Sequence, residues 1–335
     1  MNRVFTPGRV NLLGEHIDYN GGLVLPTALP QGVTIEASIR DDGRVIIRSD
    51  AFDGVAERRI GDAAVDHWSD YILGAVKLSG VKGADIHVSS NLPHGAGISS
   101  SAAVTVGVVK ALLHDAITDV DAAILARRVE NEFIGMPCGI MDQMAVALAD
   151  PGQVLALDTH TLTFDLIALP IRGRIAVMHS GVHRSLNEGR YAERKAECDR
   201  IKAVAGRDDI CRMSDTELGR LDGLDDTLIR RLHHCVSEHR RALEGAEVLL
   251  NGDIARFGCL MTESHKSLRD DFNVSVPAID RLVDICVQTG ALGARMTGGG
   301  FGGCVVAILP ETINREIWLK DVCLQYPDGA LVSWV

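Results

Sequence analysis

The hydrophobic pattern changes character along the chain, and that change limits the folds open to it. Through the first hundred residues it comes in short, strand-like runs. VTIEASI (33–39) and RVIIRSD (44–50) are separated by the turn RDDG, and GADIHVSSNL (83–92) stops at Pro93. Beyond about residue 180, apolar residues recur every three or four positions in long charged stretches, NEGRYAERKAECDRIKAVAG and LDDTLIRRLHHCVSEHRRALEGAEVLL. The tail reads as a helix (PAIDRLVDICVQTG), a glycine turn (GARMTGGGFGGC) and two strands (VVAIL, ALVSWV). Between these blocks, two helices are expected near 120–134 and in GIMDQMAVALAD, the latter stopped by Pro151. The mixture is α+β. At 335 residues the chain exceeds one ordinary core, so two domains are expected. The change of pattern puts their boundary between 150 and 185, giving 1–170 and 171–335.

Composition narrows the partners. Hydrophobic residues at 46% and charged residues at 24% describe a soluble globular chain, and only 4% aromatics make its cores aliphatic. With 34 basic against 45 acidic residues the formal charge is −11, which argues against nucleic acid and anionic membrane surfaces. No run approaches the ~18 apolar residues of a membrane span. The start, MNRVFTPGRV, does not read as a signal peptide. A cytoplasmic protein is expected. The eight cysteines are scattered without C-x-x-C spacing and read as buried or free thiols. One histidine cluster, His233, His234 and His239, lacks metal-ligand spacing and reads as a solvated helix.

Four stretches carry the chemistry. In NLPHGAGISSSAAV (91–104), Gly95 and Gly97 permit left-handed backbone and close approach of a ligand. The helix start that follows offers unpaired N–H groups, a positive dipole end and the hydroxyls of Ser99, Ser100 and Ser101. There is no P-loop lysine. The stretch is either a phosphate loop or a serine-capped strand–turn–helix connection. In PGRVNLLGEHIDYNGGLVLP (7–26) an arginine, a histidine and two carboxylates lie among residues that otherwise look like core. Burying them uncompensated is costly, so this is a polar-ligand site or a solvated turn around Asp18–Gly22. In ENEFIGMPCGIMDQ (130–143), Glu130 and Asp142 flank a proline–glycine break. Two acids on separate helices suit a metal ligand and a catalytic group, or are ordinary helix-surface acids. The glycines of 297–303 form either a loose turn or a second place where backbone meets ligand.

Together these stretches resemble the GHMP small-molecule kinases. GRVNLLGEHIDYNGG, LPHGAGISSSAA and GARMTGGGFGGC are similar to the three family signatures, and the first narrows the resemblance to the galactokinase group. ENEFIGMPCGIMDQ and HSGVHRSLNEGRY fall between them in the galactokinase order. The resemblance implies an N-terminal ribosomal-protein S5-like domain, a C-terminal ferredoxin-like domain and an active site in the cleft between them. It implies an ATP- and Mg²⁺-dependent enzyme that phosphorylates the C1 hydroxyl of galactose or a related sugar: N-acetylgalactosamine, L-arabinose or galacturonate. A non-catalytic, sugar-sensing relative is the alternative in another class, and the intact SSSAA, Arg9, Glu130 and Asp142 count against it.

Residue by residue, the resemblance implies that Glu15, His16, Asp18, Gly139 and Tyr191 bind the sugar, Asp18 reading C3/C4 and Glu15 reading C6. It places Asp142 at the C1 hydroxyl, with Arg9 beside that oxygen and the transferred phosphoryl group. Pro93, Gly95, Ala96, Gly97, Ser99, Ser100, Ser101 and Ala102 would wrap the ATP phosphates. Ser101 (or Ser100) and Glu130 would hold Mg²⁺. Trp68 and Tyr71, in HWSDYILGAV, resemble the adenine-side segment. Arg184 is a further candidate for phosphate-side charge. An arginine beside Asp142 favours its carboxylate form, so orientation with late proton uptake is expected. Three departures stand out: Ile17 where the family usually has threonine, a short lead before the first strand, and a short segment between about 50 and 68.

Overall fold

The alternating runs of the first ninety residues are strands of one sheet. Strand Pro26–Ile39 pairs antiparallel with Ala84–Ser90, Val33 opposite Ser90 and Ile39 opposite Ala84. Its Val33, Ile35 and Ala37 point inward at every second position, as a half-buried strand requires. Arg44–Ser49 joins Ala84–Ser90 in parallel and pairs antiparallel with Phe52–Arg59. Asn2–Asn11 pairs with Pro26–Ile39. The computed structural model describes residues 1–93, 95–171, 173–182 and 188–335, the side chain of Glu188 excepted. It divides into two compact units, neither continuous in sequence. The first is Met1–Arg9, Ala28–Leu92 and Ile98–Asp150; the second is Val10–Thr27, Pro93–Gly97 and Pro151–Val335.

In the first unit the helix Ser100–Leu113 lies close against the sheet, and small residues make this possible. A Cβ on Gly107 would come within 2.7 Å of Ile35 Cγ1 and 2.9 Å of Thr6 Oγ1. Thr6 in turn donates its hydroxyl to the Ala103 carbonyl (2.7 Å), tying the first turn of the helix to the first strand. Helices Asp70–Leu78, Asp119–Arg128 and Met141–Leu148 pack around it. The helix expected at 120–134 is α only to Arg128. It then widens into a π-helical turn, Val129–Ile134, closed by Gly135 at φ +81°. π turns inside helices are frequent at functional sites, and this one carries Glu130.

The second unit holds a four-stranded antiparallel sheet in the order Gly293–Thr297, Cys304–Ile308, Ile175–His179, Ala330–Trp334. The first two strands are buried throughout, and helices Ile254–Asp270 and Pro277–Gln288 pack on them. Leu23–Val24 and Phe164–Ala168 flank Gln153–Asp158, both antiparallel to it. The long amphipathic stretches are helices Glu188–Ala205 and Asp226–Leu250. One expectation fails here: the histidine helix is not solvated along its whole face. His233 is exposed, but His234 is fully buried and His239 nearly so, both on the apolar stripe of Asp226–Leu250. Strand Phe52–Arg59 was not legible because most of its residues are exposed and no apolar alternation marks it. Cys198, Cys211, Cys235, Cys286 and Cys304 are buried, and all eight cysteines are free thiols. Among the described residues no helix is long and apolar enough to cross a membrane.

Candidate active site

Two clusters of polar side chains form, one in each unit. In the first unit the centre is Asp142, in the first turn of Met141–Leu148. Arg9 grips it with one edge of its guanidinium: Nε donates to Oδ1 (2.7 Å) and Nη2 to Oδ2 (2.6 Å). The Arg9 side chain is only 5% exposed and that of Asp142 32%, so a buried cation holds a carboxylate that stays reachable. This fork geometry is the strong, orienting form of the pair. Ser99 adds a third bond, its hydroxyl donating to Oδ2 at 2.5 Å. The Arg9 backbone N–H donates to the Ile98 carbonyl (3.1 Å), so strand, loop end and helix close on one another.

Beside this lies Glu130, 5% exposed. Burial pushes its carboxyl up to about 7, and the Asp142 charge adds to the rise. Gln143 Nε2 (2.9 Å) and the Ser101 hydroxyl donate to it and work the other way, as does the charge of Arg9. The helix Ser100–Leu113 opens with no acid in its first turn. The loop before it splits between the units. Pro93 and Gly95 are exposed, Gly97 is half-buried, and buried Ala96 accepts a hydrogen bond from the Cys304 thiol (3.1 Å) in the second unit. Ser100 is exposed, Ser101 half-buried and Ala102 buried. Gly139 is buried three residues before Asp142. Trp68 stacks face to face on Phe52 (4.8 Å, 7°), and Tyr71 is half-buried.

In the second unit Glu15, His16, Asp18 and Tyr191 come together. His16 has φ +62°, and its Nε2–H donates to the Gly299 carbonyl (3.2 Å). A carbonyl only accepts, so Nδ1 is left to accept from the Tyr19 hydroxyl (2.9 Å). The His16 ring lies 5.4 Å from that of Tyr191 and 4.9 Å from Phe272. Glu15 is 2% exposed and paired with fully buried Arg295, Nη2 to Oε2 at 2.9 Å. Behind it Glu238 accepts from the Gly14 N–H, Ser264 and Arg241. Burial opposes ionisation of Glu238, but Arg241, Arg295 and His234 outweigh it and hold its carboxyl near 2. His234 bonds to the Glu15 carbonyl (3.1 Å), and burial pulls its imidazole down to about 4. Asp18 is half-buried, and Asn20 is buried and tied to the His16 carbonyl (3.0 Å). The stretch is therefore a built polar cluster rather than a solvated turn. Ile17 is fully buried against Gly22, where any Cβ would meet it at 2.4 Å. The glycine segment is not loose: Gly298, Gly300, Gly302, Gly303 and Phe301 all take left-handed φ, and Phe301 N–H is fixed to the Val274 carbonyl (2.7 Å).

Several members of these clusters escaped the reading of the sequence. Arg295 sits in the glycine signature itself, a lone arginine in a strand buried at every position. Glu238 and His234 lie on the inward face of an amphipathic helix, where charge already signals a partner. Gln143 follows Asp142 directly but carries no charge to attract notice. Arg184 lies outside the described residues. Also among the described residues, no group of three or more histidine, cysteine or acidic side chains is arranged to hold a metal by itself.

Comparison with known proteins gives concordant matches. Residues 70–150 match the family model for the GHMP kinases N terminal domain, residues 246–322 that for the GHMP kinases C terminal, and residues 3–39 the galactokinase galactose-binding signature. A galactokinase of Clostridium perfringens is 37% identical over 97% of this chain and 89% of its own length. The Lactococcus lactis galactokinase, solved in complex with galactose, superposes with a TM-score of 0.92 at 31% identity, covering 99% of this chain and 93% of that one. The Methanococcus jannaschii mevalonate kinase, at 22% identity and a TM-score of 0.71 over 98% of this chain and 96% of its own, shares the fold.

Proposed function

Because the chain belongs to the galactokinases of the GHMP kinase family, we propose that it transfers the γ-phosphoryl group of ATP to the C1 hydroxyl of galactose, giving galactose 1-phosphate and ADP. The observation that carries the chemistry is the Arg9–Asp142 pair: a forked, buried cation on a carboxylate that remains one-third exposed. In phosphoryl transfer most of the enzyme's work is alignment and charge stabilisation. Asp142 orients the C1 hydroxyl and takes its proton as the bond to phosphorus forms. Arg9 sits beside both oxygens and stabilises the charge on the group in transit.

Neutralising the triphosphate needs no loop lysine. The amides that open Ser100–Leu113 and its acid-free first turn offer donors and a positive dipole end, and the backbone of Gly95, Ala96 and Gly97 is assigned to the same phosphates. The donor set beside them fits Mg²⁺. The Ser101 hydroxyl and the Glu130 carboxylate are hard oxygens already in contact, and Glu130 is buried where a cation would favour its ionised form. When bound, the ion supplies charge neutralisation on the phosphate oxygens. Glu15, His16, Asp18, Gly139 and Tyr191 are assigned to the sugar, and Trp68 to the adenine side. A carboxylate fixed as Glu15 is by Arg295 demands a hydroxyl donor at a fixed position. A site of that kind rejects an epimer by ~10⁴ or more.

Two measurements test the reading. ADP release with a sugar panel (galactose, N-acetylgalactosamine, L-arabinose, galacturonate) should be fastest with galactose, and a different winner changes the substrate. Asp142→Ala should lower kcat by at least about 10³-fold while nucleotide still binds. Normal turnover in that variant would remove Asp142 from the mechanism.

A further inference from the structure

Ser99 stands in a run of three serines before a helix, a position where a hydroxyl normally caps the helix or meets phosphate. Its hydroxyl does not cap the helix. Its backbone occupies the N-cap site of Ser100–Leu113, with its carbonyl accepting from Ala103 N–H (3.0 Å), yet its side chain makes no cap bond. Its φ of +63° and ψ of +44° are left-handed, a conformation that glycine adopts freely and serine does not. It is 7% exposed. A backbone held in this region costs stability, and such residues persist where the surroundings impose them. What the conformation achieves is visible in one contact: the Ser99 hydroxyl reaches Asp142 Oδ2 at 2.5 Å.

An ionised carboxylate has about four lone-pair directions. Arg9 Nε takes one on Oδ1, and Arg9 Nη2 and Ser99 together take both on Oδ2. Among the described residues no other group bonds to the Asp142 carboxylate, so one direction remains, on Oδ1. We propose that Ser99 is a positioning residue of the transfer: its strained backbone delivers a hydroxyl that closes Oδ2, so that Oδ1 alone meets the acceptor hydroxyl. With its only proton committed to Asp142, this hydroxyl is not a donor to the ATP phosphates. The inference rests on the reading of Asp142 as the group that receives the sugar hydroxyl, and it moves Ser99 from the phosphate side of the loop to the acceptor side.

The test compares Ser99→Ala and Ser99→Gly in the full chain with Asp142→Ala and the double variants. Turnover is measured with galactose and ATP, nucleotide affinity by titration with Mg·ADP, and stability by urea unfolding. Both single variants should lower kcat by about 10²-fold, the scale of a small misplacement of a reacting group. The dissociation constant for Mg·ADP should stay within about twofold. Ser99→Gly should unfold at higher urea than Ser99→Ala, since both lack the hydroxyl and only glycine escapes the strain. In the Asp142→Ala background Ser99→Ala should cause no further loss, because the group it positions is gone. A weakened nucleotide with kcat preserved would return Ser99 to the phosphates. Additive losses in the double variant, or full activity in Ser99→Ala, would overturn the proposal. Normal turnover of Asp142→Ala would instead sink the reading beneath it.

Discussion

At the scale of single residues, Glu130 shows how burial and charge set the proton affinity of the carboxyl proposed to hold the cation. Its carboxyl lies near 7 in the fold against 4.5 in a free chain, because burial and the Asp142 charge exceed the help from Gln143, Ser101 and Arg9. Raised in the native state, it contributes stability below about pH 4.5, and that contribution is lost as pH climbs through about 7, a swing of order 3 kcal/mol. Relative to Glu130→Gln, the urea midpoint of the ligand-free protein should therefore fall between about pH 4.5 and pH 7. A cation requires the ionised form, so Mg·ADP affinity should rise over the same interval. Gln143, which donates to Glu130 at 2.9 Å, holds the carboxylate in place from one helix away. Gln143→Met should raise the half-saturating Mg²⁺ concentration 10- to 100-fold with galactose KM unchanged. An unchanged Mg²⁺ requirement would leave Gln143 a packing residue only.

At the scale of elements, the helix Ser100–Leu113 is aimed by its packing. Gly107 lets it settle onto Ile35 and Thr6, and the Thr6 bond to Ala103 fixes its first turn. Adding one methyl at 107 gains about 1 kcal/mol of helix propensity but forces contacts under 3 Å. Gly107→Ala should be destabilised by about 1–2 kcal/mol in urea unfolding and lose kcat as well, since the helix that lifts carries Ser99 and Ser101 at its near end. A neutral midpoint would show that the helix slides at no cost. The π turn at Val129–Ile134 works in the same way on Glu130. It was not legible beforehand, because a π turn differs from α only in hydrogen-bond register and leaves no change of residue pattern.

At the scale of the molecule, the two units should answer acid in opposite senses. In the second unit His234 and His239 are pulled from 6.5 to about 4, chiefly by burial, so both are kept neutral. Their folded values are depressed, and the stability they contribute is present above about pH 6.5 and lost as pH falls towards 4. For fully buried His234 this amounts to about 3 kcal/mol. Glu238 follows only lower, from 4.5 towards 2. The first unit, through Glu130, gains over the range in which the second loses. Hydrogen exchange between pH 7 and pH 5, corrected for intrinsic rates, should show protection falling in 226–250 before it falls in 100–113. The reverse order would mean that other groups govern the acid response.

What the sequence determined by itself was the set of parts. Alternation marked the strands at 33–39, 44–50 and 83–92, three- and four-residue spacing marked the long helices, and uncompensated charge among apolar residues marked Arg9, Glu15 and Asp18. Glycine and serine spacing marked the loop at 95–101. These signals are local, so they survive in one dimension. Which partner each charge takes is not local. Arg9 reaches Asp142 across 133 positions and Arg295 reaches Glu15 across 280. The hydroxyl of Ser99 turns from the helix it precedes to a carboxylate 43 residues away. Only the packed chain decides such pairings, because a buried charge or hydroxyl is satisfied by whatever the fold brings within 3 Å, and that neighbour leaves no mark on the residues beside it in sequence.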